Sequence, residues 1–225
     1  MDAIALNNNA VDLMRQGNLQ EVTSDFRSAL VKLHRVDQHE DVDLADELSP
    51  TFLSVRSVPL YDSLFNTSSY QDHHAFSLFD RALVIDDAEL SAASSIAGQN
   101  CTSAVILFNT GLALYLQGRR DIRSQQASFV KALRFYKMAV EMLERCSDFD
   151  DEVNCLVYLA AMNNMGYIYS HFCEGREAQH CLQLLQTTLE TVESSAIDIL
   201  SHEYFPFYLN ILTLRGQEVA AAAAA

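Results

Sequence analysis

Leu107-Phe108-Asn109-Thr110-Gly111-Leu112-Ala113-Leu114 decides the fold, because two other stretches of the chain repeat it. Leu6-Asn7-Asn8-Asn9-Ala10-Val11-Asp12-Leu13 and Met162-Asn163-Asn164-Met165-Gly166-Tyr167-Ile168-Tyr169 align with it without gaps. In each, an asparagine holds the third place (Asn8, Asn109, Asn164). The first two continue into Gln16-Gly17 and Gln117-Gly118, the third into Phe172-Cys173-Glu174-Gly175. A second apolar helix with small residues in its middle follows each time. Self-similarity of this kind marks stacked units, each too small to bury its own apolar face.

Around the first of these stretches, Ile4, Leu6, Ala10, Leu13 and Met14 recur at helical spacing, and Gly17-Asn18 supplies a left-handed stop. Leu19, Val22, Phe26, Ala29, Leu30 and Leu33 trace a second helix, giving a first unit over 3–34. So short a link makes the two helices antiparallel. Helix resumes over Thr102 to Gln117. A basic turn follows, and a long helix with Phe129, Leu133, Tyr136, Val140 and Leu143 completes a unit over 102–145. Val153 to Phe172 and Gly175 to about Val192 form a third unit, 153–192. A last apolar helix over 205–217, with Pro206 in its first turn, resembles half of one more unit and suits a lid on a stack.

Residues 50–86 break the helical pattern. Leu53 and Val55 alternate with polar residues, and Phe76, Leu78, Ala82 and Val84 share one parity. Thr51 to Leu60 and Ala75 to Ile85 therefore read as two strands of a hairpin joined by the polar loop Tyr61 to His74. Two strands alone are barely stable, so the hairpin must lie against the helices. Asp86 to Asn100 reads as a connector.

With these positions in view the chain resembles the tetratricopeptide repeat, two antiparallel helices of about 34 residues with interlocking small and large positions. Leu6, Asn9, Ala10, Leu13, Gly17, Val22, Phe26 and Ala29 carry the resemblance in the first unit. Leu107, Thr110, Gly111, Leu114, Gly118, Ala132, Tyr136 and Ala139 carry it in the second, and Met162, Met165, Gly166, Tyr169, Ala178, Leu182 and Leu185 in the third. The family's Trp is Leu or Met here, and the proline that ends its unit is missing. The resemblance implies a mainly α fold: one domain over 1–225, a superhelix of antiparallel helix pairs with an inserted two-stranded β-hairpin. It also implies a peptide or protein partner on the concave face. Asn8, Asn109 and Asn164, with Asn210 as a fourth, stand at the family's groove-lining position, flanked by Tyr115 and Tyr167. An amide there donates to and accepts from extended main chain without reading side chains. The alternative is that these asparagines only cap or solvate their helices. The variant that grips a terminal carboxylate needs Lys and Arg where this chain has Asn7, Val105, Ala160 and Asn163, so that ligand is excluded.

Composition narrows the function classes. With 49% hydrophobic and 20% charged residues the chain is of globular type. Its net charge of −15 repels nucleic acid and anionic lipid. Acids gather at Asp37 to Glu47 and at Asp148 to Glu152, read as solvated connections. The 5 cysteines form no CxxC, which fits reduced thiols. Without a signal segment or an apolar run of about 18 residues, a cytoplasmic or nuclear protein with no membrane span is expected. The sequons Asn66-Thr67-Ser68 and Asn100-Cys101-Thr102 are then idle.

No reaction is implied. His171, Cys173, His180 and Cys181 lie close in sequence, yet packed thiols and partly exposed imidazoles explain them better than zinc. Arg119, Arg120 and Arg123, with Lys131, Arg134 and Lys137, read as a solvated basic face. Phosphate loops, GxSxG and HExxH are absent. The expectation is therefore an interaction module without catalytic residues, cofactor or metal. Its alternative is a permanent subunit or homo-oligomer whose apolar faces stay covered.

Overall fold

The computed structural model describes residues 2–36, 53–60, 76, 78–86, 96–145, 152–194 and 203–212. Among these the protein is mainly helical, with one small two-stranded antiparallel sheet. In chain order the elements are α1 (Ala3–Arg15), α2 (Leu19–Val36), β1 (Val55–Pro59), β2 (Arg81–Ile85), α3 (Ile96–Arg120), α4 (Gln125–Glu144), α5 (Glu152–His171) and α6 (Gly175–Ser194). A short helix α7 covers 205–212. The expected loop Tyr61 to His74, the acidic stretches Asp37 to Glu47 and Asp148 to Asp151, and residues 213–217 of the last helix lie outside the described residues, while the acidic Glu152 opens α5.

The chain folds as two compact units. One holds Met1–Phe65 and Asp80–Ser147, the other Asn66–Phe79 and Asp148–Ala225. In the first unit α1 packs on α2 and α3 on α4, while α2 also meets α3 and β2 rests on α1 and α3. In the second, α5 packs on α6. Helix α5 is buried round its whole circumference from Val153 to Tyr169, as an all-round apolar helix must be.

Local chemistry sets the helix ends. Asp2 Oδ1 accepts from the Ala5 N–H at 2.7 Å and caps α1. Its other end is a Schellman turn: Asn18 N–H donates to Leu13 C=O at 2.9 Å and Gly17 N–H to Met14 C=O at 3.0 Å, with Gly17 at φ 81°. The same turn closes α5, where Glu174 N–H reaches Tyr169 C=O at 2.9 Å and Cys173 N–H reaches Ser170 C=O at 3.1 Å. The left-handed residue there is Cys173, φ 60°, not Gly175. Gly118 likewise stops nothing, since α3 runs on to Arg120. Instead, a Cβ on Gly118 would stand 2.9 Å from the Cβ of Ser128, so this glycine lets α4 approach α3. Gly111 does the same beneath the Tyr136 ring, its virtual Cβ 2.8 Å from that ring. Gly166 makes room for Phe76 of the insert, at 2.6 Å, rather than for a second helix.

The strands are shorter than the alternation predicts, and the parity argument does not hold. Ala82, Leu83, Val84 and Ile85 are all buried, because β2 is covered on both faces. Phe79, outside the predicted parity set, is buried as well, and its ring stacks on Phe207 of α7 at 5.1 Å.

Candidate functional site

The register of the hairpin decides which main-chain groups need help. Val55 pairs with Ile85 and Ser57 with Leu83. Leu60 N–H donates to Asp80 C=O at 3.3 Å, and Asp86 N–H to Ser54 C=O at 3.0 Å. Antiparallel ladders alternate, so the even residues of β2 face β1, while Leu83 and Ile85 turn their N–H and C=O to the opposite edge. An uncovered edge carries unpaired polar groups, and these are in the core.

Asparagine side chains complete that edge. The Leu83 N–H donates to Asn109 Oδ1 at 2.9 Å, and Asn109 Nδ2 donates back to Leu83 C=O at 2.7 Å. The Ile85 N–H donates to Asn8 Oδ1 at 3.1 Å, and Asn8 Nδ2 returns to Ile85 C=O at 2.7 Å. In the second unit the Phe79 N–H donates to Asn164 Oδ1 at 2.8 Å, and Asn164 Nδ2 to Phe79 C=O at 3.0 Å. All six distances lie in the range of good N–H···O bonds. Each carboxamide thus mimics one rung of a strand, donor and acceptor side by side. The residues gripped, 79, 83 and 85, share the odd parity of the insert.

The three asparagines that align in sequence therefore perform one chemical task. What they hold is the chain's own main chain, so the expected open row is occupied. Asn109 and Asn164 are fully buried and Asn8 half-buried. Asn210, also buried, donates to Asn163 Oδ1 within the second unit. Tyr115 and Tyr167, expected beside an open groove, are buried too. The Tyr115 ring stacks on Phe129 at 4.8 Å, and its hydroxyl accepts from Arg119 at 3.4 Å.

Two asparagines enter the site that the alignment did not single out. Asn7 donates to Asn8 Oδ1 at 3.1 Å and to Leu83 C=O at 3.2 Å, and its own Oδ1 accepts from Asn109 at 2.9 Å. Asn163 donates to Asn164 Oδ1 at 3.3 Å and accepts from Asn210. The doubled asparagines, Asn7-Asn8 and Asn163-Asn164, were the available signal. The bonds just described join carboxamides to neutral main chain and to one another.

The basic cluster has a structural task in part. Arg120 donates to Gly17 C=O at 2.6 Å, beside the C-terminus of α1, while Gln117 donates to Leu19 C=O at 2.6 Å. A cation there meets the negative end of the helix dipole. Among the described residues no three His, Cys, Asp or Glu side chains gather as metal ligands, and no helix is long and apolar enough to cross a membrane. Within α7 the Tyr208 phenol is pushed up to about 12 by burial, with the neighbouring Glu193 carboxylate adding to the shift. In α7 itself Phe205, Leu209 and Leu212 are exposed and recur at i, i+4 and i+7. Compared with known proteins, the chain matches no family model, no curated protein and no solved structure.

Proposed function

We propose that this protein is a tetratricopeptide-like interaction module. Its asparagine amides are built to hold extended main chain, and its own inserted strand occupies them until a protein partner supplies a competing strand. The observation that carries this is the repeated two-bond grip of Asn8, Asn109 and Asn164 on Ile85, Leu83 and Phe79. The side chains of the gripped residues play no part in those bonds, so another extended segment with aliphatic residues in place of Leu83 and Ile85 satisfies the same amides. The resident strand lowers the apparent affinity by the fraction of molecules in which the site is open.

A fluorescent peptide with the sequence Asp80 to Asp86 tests this on the full chain. Leu83→Asp places a carboxylate at a fully buried position and weakens the resident strand. The peptide is expected to bind the Leu83→Asp protein at least ~10-fold tighter than wild type, a difference of about 1.4 kcal/mol, and to lose that binding when Asn109→Ala is added. No binding to a Leu83→Asp protein that keeps its helical circular dichroism would refute the displaceable-strand proposal.

A second function is favoured by the exposed Phe205, Leu209 and Leu212 on α7: a permanent subunit that keeps this stripe covered by a partner chain or a second copy. Light scattering separates the two. A dimer that Leu209→Arg returns to monomer supports the subunit; a wild-type monomer at all concentrations supports the module.

A further inference from the structure

We infer that Asn7 and Asn163 are positioning residues that set the orientation of the amides gripping the insert and, in the first unit, join two grips into one cooperative device. A carboxamide can seat in two ways, with its oxygen or its NH2 toward a given group. Only one way serves the strand: Oδ1 must face the main-chain N–H. A reversed Asn8 would set donor against donor at Ile85. Asn7 Nδ2, donating to Asn8 Oδ1 at 3.1 Å, penalises that reversal from the other side. Its Oδ1, accepting from Asn109 at 2.9 Å, does the same for the second grip, because a reversed Asn109 would bring oxygen to oxygen. Asn7 also donates to Leu83 C=O at 3.2 Å, so its amide spends both hydrogens and one acceptor within the device. It is fully buried, where leaving such groups unpaired is costly.

The second unit repeats this independently. Asn163 donates to Asn164 Oδ1 at 3.3 Å and accepts from Asn210, as Asn7 donates to Asn8 and accepts from Asn109. Each unit thus uses a tandem pair, the first amide orienting the second, tied to an asparagine on a later helix. The inference concerns how the amides are held and stands whichever chain supplies the strand.

Amide hydrogen exchange read by NMR at single residues tests it on the full chain. Asn8→Ala should speed exchange most at the Ile85 N–H, whose acceptor it removes, and less at Leu83. Asn7→Ala should speed exchange at both Leu83 and Ile85 by ~10-fold or more, although its own bonds reach neither N–H, which a packing defect confined to Asn7 would not do. Exchange at Leu83 and Ile85 unchanged in Asn7→Ala would overturn the inference. A double-mutant cycle on the unfolding constant adds a second readout, since Asn8 and Asn109 share no hydrogen bond. They should couple by a factor of about 3 or more with Asn7 present and by about 2 or less in the Asn7→Ala background. Coupling that persists without Asn7 would route it through the strand and remove Asn7 from the device. If Asn7→Ala fails to fold, Asn163→Ala decides, with the Phe79 N–H as its readout: faster exchange supports the inference and unchanged exchange refutes it.

Discussion

Replacing Asn109 by alanine removes one carboxamide and strips partners from two buried groups. The Leu83 N–H loses the Oδ1 at 2.9 Å that takes its hydrogen, and Asn7 Oδ1 loses the Nδ2 that donates to it. Leu83 C=O keeps Asn7 at 3.2 Å. At about 1–3 kcal/mol for each orphaned buried group, the loss comes to about 2–6 kcal/mol. That is a large share of the 5–15 kcal/mol typical of a folded protein. Asn109→Asp sharpens the test, because it keeps the shape and the acceptor toward Leu83 N–H. Its second oxygen replaces the Nδ2 and faces two acceptors, Leu83 C=O and Asn7 Oδ1, at a fully buried position. Burial and these dipoles raise the folded pKa of the new carboxyl above its unfolded value of about 3.9. The protonated form donates again and restores part of the grip. Stability is therefore present below about pH 4 and is lost as pH rises through the raised folded pKa. Urea titrations of wild type, Asn109→Ala and Asn109→Asp from pH 4 to 8, followed by circular dichroism, measure both effects. An Asn109→Ala loss under about 0.5 kcal/mol, or an Asn109→Asp protein whose deficit against wild type does not grow with pH, refutes the assigned role of this amide.

Three further outcomes follow from local geometry. Gly111→Ala sets a methyl 2.8 Å from the Tyr136 ring, and urea denaturation should show a loss of about 1–3 kcal/mol. Cys173→Gly relieves a left-handed residue at φ 60°, so its denaturation midpoint should rise by the equivalent of up to about 1 kcal/mol; the gain is capped because glycine also loosens the unfolded chain. In an alkaline absorbance titration Tyr208 should ionise near pH 12, late for a phenol, and Tyr208→Phe should remove that late component. The sign follows from the raised folded pKa: the contribution of Tyr208 to stability is full below about pH 10 and lost as pH rises through 12.

The amino-acid sequence alone specified the helix pairs and the equivalence of Asn8, Asn109 and Asn164, because periodicity and aligned spacing are properties of neighbours along the chain. It placed the left-handed stop at Gly17 for the same reason. Tertiary structure decided what those amides hold. The partner of Asn109 is Leu83 and that of Asn164 is Phe79, contacts between residues far apart in the chain that no local pattern encodes. Tertiary packing also buried both faces of β2, which hid its alternation, made Gly118 a point of close approach rather than a turn, and set Phe76 of the insert against Gly166 instead of a second helix. The first unit's tie through Asn7 could be seen only once Asn109 stood within 2.9 Å of it. An amide has the same appearance in a sequence whether it faces water, a partner or its own chain. Which of these it meets is set by the long-range burial that pays for the whole fold.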